Sequence, residues 1–299
     1  MKKPYFTYIL AMLIFGTNGI ISSHISLSSA EIVWSRTILG GIFLILVFLL
    51  THGRVQWGEW KRQWKMLLAS GVSMGLSWIF LFEAYRLASV STATLTYYCG
   101  PVIVMALSPL LFREAITWPK CVGIGAVVLG MVCVNGTDFL TEGLSAGLIC
   151  GLLSAICYAV MIISNKKLVG LSGLEITLAQ LLIACVVVGP YAIATHRGTF
   201  SLNAESLIFM LILGAVNTGL ACFLYFSSIH ALPAQSVAIF SYMDPLSALL
   251  FSALFLGERL SAMQLVGALF ILGGAAFGQL MHSPDKKLPQ PQNLRGKEL

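Results

Sequence analysis

The run Ala234–Leu260, AQSVAIFSYMDPLSALLFSALFLGERL, carries a single carboxylate near its middle, Asp244, with Pro245 directly behind it. The same text recurs in altered form from Val90 to Ile116, as VSTATLTYYCGPVIVMALSPLLFREAI. An offset of 144 residues lays Tyr98 on Tyr242, Pro101 on Pro245 and Glu114 on Glu258. Carried outward without a gap, it also pairs Glu31 with Glu175, Leu67 with Leu211, Gly75 with Gly219, Phe82 with Phe226, Gly123 with Gly267 and Gly130 with Gly274. A single frame that holds over so much of the chain marks a duplication.

Composition names the solvent of this duplicated unit. Hydrophobic residues make up 58% and charged residues 10% of the 299, against roughly 45–50% and 25% in soluble globular proteins. Crossing about 30 Å of hydrocarbon takes roughly 20 apolar residues in a helix, and such runs fill most of the sequence. Ten are read, over 5–24, 32–51, 66–86, 90–111, 119–135, 143–164, 175–195, 206–229, 234–256 and 261–281. Their length and their Gly, Ala and Ser content suit packed helices rather than barrel strands. The expectation is an all-α integral membrane protein of ten transmembrane helices in two five-helix repeats, residues 1–139 and 140–281. Because five is odd, the second repeat enters the membrane from the opposite side, so the halves are inverted. Inverted halves are the architecture of alternating access. Residues 282–299, with three prolines and several charges, read as a disordered cytoplasmic tail.

Lys and Arg set the orientation. Fourteen of the eighteen fall on the side of the amino terminus, among them Lys2, Lys3, Arg54, Lys61, Arg62, Lys65, Arg113, Lys120, Lys166 and Lys167. By the positive-inside rule both termini are cytoplasmic, in a cell (inner) membrane. The net charge of +6 is then a topological signal, and no nucleic-acid partner is expected. Lys2, Lys3 and the following apolar run imitate a signal peptide, but the repeat requires a first helix, so retention is expected. The seven cysteines lie within or at the edges of spans without CxxC or metal spacing. They read as small buried apolar residues, with no disulfide, metal or cofactor.

The polar residues inside spans are the candidates for binding substrate or protons. Asp244 lies near the bilayer midplane, where an ionised group is costly and functional by default. Asp-Pro is also a helix-start signature, with Asp as cap and Pro at the first helical position. Gly100-Pro101 would break the fourth span as Asp244-Pro245 breaks the ninth, and matched interruptions point to a binding site. Arg36 offers a fork of donors to a carboxylate, or else snorkels to the outer interface. Glu83 and Arg86 form an i,i+3 pair or a gate. Trp34, Trp78, Tyr97, Tyr98, Tyr158, Tyr225, Tyr242, Asn18 and Asn217 would line an amphipathic cavity or serve as helix contacts. Trp57, Trp60 and Trp64 read as interfacial anchors in a cytoplasmic loop.

Two five-helix repeats, each with a tyrosine and a proline in the fourth span and a glutamate at its end (Tyr98, Pro101, Glu114; Tyr242, Pro245, Glu258), resemble the EamA family of the drug/metabolite transporter superfamily. The glycine-rich GIGAVVLG from Gly123 and GALFILGG from Gly267 are similar to it as well. The resemblance implies a secondary transporter that exports a small amphipathic metabolite, such as an amino acid, with protons as a candidate coupling ion. The related small multidrug exporters carry a glutamate in the first helix, whereas the first span here has none. A membrane-embedded enzyme would need clustered His, Asp or Glu, and the histidines are scattered. HExxH, GxSxG and Walker sequences are absent. A passive channel would show a continuous polar stripe. The partners expected are a small-molecule substrate and the lipid bilayer, and a monomer suffices.

Overall fold

The computed structural model describes residues 2–51, 55–87, 93, 96–114, 116–142, 146–196, 203–255 and 261–280. Glu258 and the tail 282–299 lie outside them. Every regular element among the described residues is helical: α1 (Lys2–Gly16), α2 (Asn18–Ser23), α3 (Ser29–Leu50), α4 (Trp57–Leu87), α5 (Cys99–Phe112), α6 (Trp118–Glu142), α7 (Ala146–Lys166), α8 (Gly173–Thr195), α9 (Ala204–Ile212), a π-helical segment Leu213–Leu220, α10 (Ala221–Ile229), α11 (Ala234–Phe240), α12 (Met243–Phe255) and α13 (Ala262–Leu280). Among the described residues seven helical stretches are long and apolar enough to cross a membrane, and three shorter apolar helices, within α5, α6 and α13, accompany them.

Sequence chemistry explains where several helices start. Ser28 and Ser172 each accept a hydrogen bond from the backbone of a glutamate three residues on, and Glu31 and Glu175 answer to the cap residue's own amide. These reciprocal capping boxes satisfy amides that the first helical turn leaves unpaired. Each glutamate keeps a second oxygen for a neighbour. Glu31 meets His196, just past the end of α8, at 2.6 Å, and Glu175 accepts from the backbone N–H of Gln56 at 2.8 Å.

Glycine fixes how closely the helices approach. A Cβ on Gly123 would come within 2.7 Å of the Gly274 carbonyl, and one on Gly130 within 2.6 Å of the Gly267 carbonyl. The backbones of α6 and α13 are therefore in direct contact, as small-residue membrane interfaces allow. Elsewhere α4 packs on α7 and α8, α3 on α8 and the π segment, α1 on α10 and α12, and α5 on α7 and α11.

Three details depart from the sequence reading. Trp57, Trp60 and Trp64 are helical, not in a loop. Polar residues end a membrane span without ending a helix, and Trp60 packs beside Leu67, Leu168 and Ile176 to hold these turns. The first span is interrupted at Thr17, between α1 and α2. The cysteines are not uniformly buried: Cys222 is, whereas Cys121 is exposed.

Candidate functional site

The interruption of the ninth span falls between Phe240 and Met243, where Ser241 and Tyr242 form a turn. Asp244 and Pro245 are the second and third residues of α12, so Pro245 does not open the helix as the sequence suggested. In the fourth span the helix restarts at Cys99, one residue after Tyr98, and Pro101 is again third. The Asp244 carboxylate accepts from the Tyr98 hydroxyl at 3.0 Å. The Tyr242 hydroxyl donates to the Tyr98 carbonyl at 2.7 Å, and the two tyrosine rings lie 5.8 Å apart. Both breaks and the mid-span carboxylate thus meet in a single cluster. Gly100 lets α5 approach α7 closely, because a Cβ there would lie 2.7 Å from the Tyr158 ring.

Arg36 does not snorkel. Only 9% exposed, it donates through Nε to Thr218 Oγ1 at 2.8 Å and through Nη2 to Asn18 Oδ1 at 3.4 Å. Its guanidinium stands 5.4 Å from the Trp78 ring centroid, a cation–π contact worth roughly 0.5–2 kcal/mol. Among the described residues Arg36 and Asp244 form no direct ion pair. The π segment shapes this side. Thr218 Oγ1 bonds back to the Leu213 carbonyl five residues earlier, at 2.9 Å. Asn217 donates to the Ile14 carbonyl and to Thr17 Oγ1, at 2.9 and 2.8 Å, where α1 gives way to α2. The widened helix thus supplies a donor where the broken one leaves a carbonyl, as buried polar groups in hydrocarbon must be satisfied.

Tyr158 belongs to a layer of buried hydroxyls. It shares a 3.0 Å hydrogen bond with Tyr225, the Tyr225 ring lies tilted against Tyr8 with centroids 5.2 Å apart, and the Tyr8 hydroxyl donates to the Val237 carbonyl at 3.1 Å. Tyr97 bridges Tyr158 and Tyr98 edge to face. Beyond this layer, Glu114 accepts from the first two amides of α11, Ala234 at 2.7 Å and Gln235 at 3.1 Å. Lys166 donates to the carbonyls of Ile229, at the end of α10, and Leu232. An anion thus meets a helix start and a cation meets a helix end, each complementing the local dipole.

Two candidates fall elsewhere. Glu83 is held by Arg86 at 2.6 Å and by the Tyr191 hydroxyl. Trp34 lies against Gly189 and lines a small hollow with Glu31, Ile193 and His196. Sequence reasoning missed Thr218 and Tyr8. Neither carries a charge, and neither stands out from other hydroxyl residues in apolar runs.

Helical spans around this polar core describe a multi-pass membrane protein. The EamA-like transporter family matches the chain over residues 2–136 and again over 145–277, and the chain belongs to that family. It is 29% identical over 273 residues to an uncharacterized transporter of Bacillus subtilis strain 168, YxxF, covering 90% of this chain and 86% of that one. Protein PecM of Dickeya dadantii is 28% identical over 212 residues, 70% of this chain and 71% of its own. A solved crystal structure shares the fold with a TM-score of 0.82 at 16% identity, over 93% of this chain and 98% of its own.

Proposed function

We propose that the chain is a ten-span secondary transporter whose two inverted repeats, about 1–139 and 140–281, export a small amphipathic metabolite, such as an amino acid, by alternating access. The meeting of Asp244, Tyr98 and Tyr242 at two broken helices carries this reading. Contacts that recur at the 144-residue offset support the repeat. Gly75 faces Val187 as Gly219 faces Phe43, and Gly123 with Gly274 mirrors Gly267 with Gly130. The capping boxes of Ser28 and Ser172 and the helix starts at Cys99 and Met243 keep the same spacing, and the family matches in two successive segments.

In this reading Arg36, Asn18 and Trp78 hold the anionic end of the cargo, and Asp244 binds its cationic end or carries a coupling proton. With both termini cytoplasmic, the buried tyrosine layer and the Glu114–Lys166 clamp close the inner side. In this reading cargo leaves to the outside past the half-buried Tyr98, Asp244, Trp78 and Asn18. Purified protein in proteoliposomes, offered a mixed metabolite pool and read by mass spectrometry, should accumulate one chemical class. With that class, Asp244→Asn should abolish pH-driven movement while leaving exchange intact. Unchanged pH-driven transport by the variant would remove Asp244 from the coupling step.

A further inference from the structure

We propose that the overhanging start of α4 is a docking surface for anionic phospholipid headgroups of the cytoplasmic leaflet, a reading that rests on the orientation proposed above. The helix has 31 residues, about 46 Å at 1.5 Å per residue, against about 30 Å of hydrocarbon. Its surplus is the segment WGEWKRQWKM from Trp57, which continues without a break into the apolar run beginning at Leu67. The segment therefore stands at headgroup depth.

Its two faces differ. One packs inward: Gln63 exchanges hydrogen bonds with both the N–H and the carbonyl of Val169, and Trp60 packs beside Leu67. On the other, Trp57, Lys61, Trp64, Lys65 and Leu68 follow one another at i, i+4, i+7, i+8 and i+11, and all are exposed. Such spacing places them in one stripe. Trp57 is 66% and Trp64 54% exposed. The Lys65 ammonium lies 5.8 Å from the Trp64 ring centroid. Arg62 is engaged by Glu59 at 2.6 Å, whereas among the described residues neither Lys61 nor Lys65 forms an ion pair. Indoles at the hydrocarbon edge with ammonium groups outside any ion pair among the described residues match a lipid phosphate layer: the ring bodies enter the interface and the charges meet anionic headgroups. An acidic soluble partner would complement the lysines but leave the indoles without a role. Through Gln63 and Val169 the docked segment also steadies the connection that leads to the Ser172 cap.

The test is native mass spectrometry of the full chain in detergent, titrated with phosphatidylglycerol or phosphatidylcholine. Wild type should retain the anionic lipid about tenfold better or more, from two lysines near the surface. Lys61→Gln/Lys65→Gln should bring that preference close to unity. Lys3→Gln/Lys167→Gln, which removes the same charge from other exposed positions, should keep it. Trp57→Ala/Trp64→Ala should weaken both lipids. Retained preference in the first variant, an equal loss in the control, or displacement of the lipid by polyglutamate at matched charge would each overturn the proposal. Should the first variant fail to fold by size exclusion, the wild-type preference must still collapse with rising ionic strength, and persistence would overturn it. Lipid retention is read without transport, so this proposal and the transport reading fail separately.

Discussion

Thr218 uses one hydroxyl twice, accepting from the Arg36 guanidinium and donating to the Leu213 carbonyl. Replacing it with valine keeps the shape and removes both bonds, leaving a buried cation short of an acceptor. We expect Thr218→Val to cost about 1–3 kcal/mol, seen as a lower melting temperature in detergent, and Thr218→Ser to remain near wild type. Equal melting temperatures would show that Arg36 does not depend on this oxygen. At this scale the sequence was legible wherever charge interrupted an apolar run. Asp244 and Arg36 stood out because an ion in hydrocarbon demands a reason, whereas Thr218 gained its role only from backbone that brings its hydroxyl to Arg36. The inward course of Arg36 was likewise hidden, since one turn from a membrane edge a guanidinium has two plausible directions.

Helix ends carry the next prediction. Glu114 and Lys166 grip the corner between α10 and α11 from the start of one helix and the end of the other. Both grips must be released if the cytoplasmic side is to open. In a background free of other cysteines, Ser241→Cys reports on the buried tyrosine layer. Adding Glu114→Gln and Lys166→Met should raise its labelling from the cytoplasmic side by about threefold or more, as expected from losing charge–dipole contacts worth roughly 0.3–1 kcal/mol each. An unchanged rate would make the corner a static support. The helix breaks were legible at Gly100-Pro101 and Asp244-Pro245, because proline removes a donor and restricts its neighbour. Their exact register was not, since a helix can begin two residues ahead of a proline and still spare the missing N–H. The length of α4 was hidden for a different reason: hydropathy marks where a helix leaves lipid, not where it ends.

For the molecule as a whole, the reading of both termini as cytoplasmic has a direct check. A Cβ added to Gly58 would meet open space, so Gly58→Cys in a cysteine-free background should be tolerated. It should react with an impermeant thiol reagent only from the cytoplasmic side, and labelling from the outside would invert the orientation. The membrane class and the family were legible from composition and from the repeated text, whereas the close glycine packing of α6 on α13 came only with the structure. What could not be read was how the two proposed repeats differ.

The π-helical stretch Leu213–Leu220 is where that difference enters. In the proposed pairing it corresponds to regular helix in α4, matched without insertion or deletion through Gly75 and Gly219 and through Phe82 and Phe226. A wider turn advances by a smaller angle per residue, so side chains beyond it point in another direction than their aligned counterparts. Twins that share an alignment column need not share a heading. In the proposed pairing the two halves therefore part from symmetry through backbone winding, and one half can offer Thr218 and Tyr225 to the centre while the other keeps its equivalents for packing.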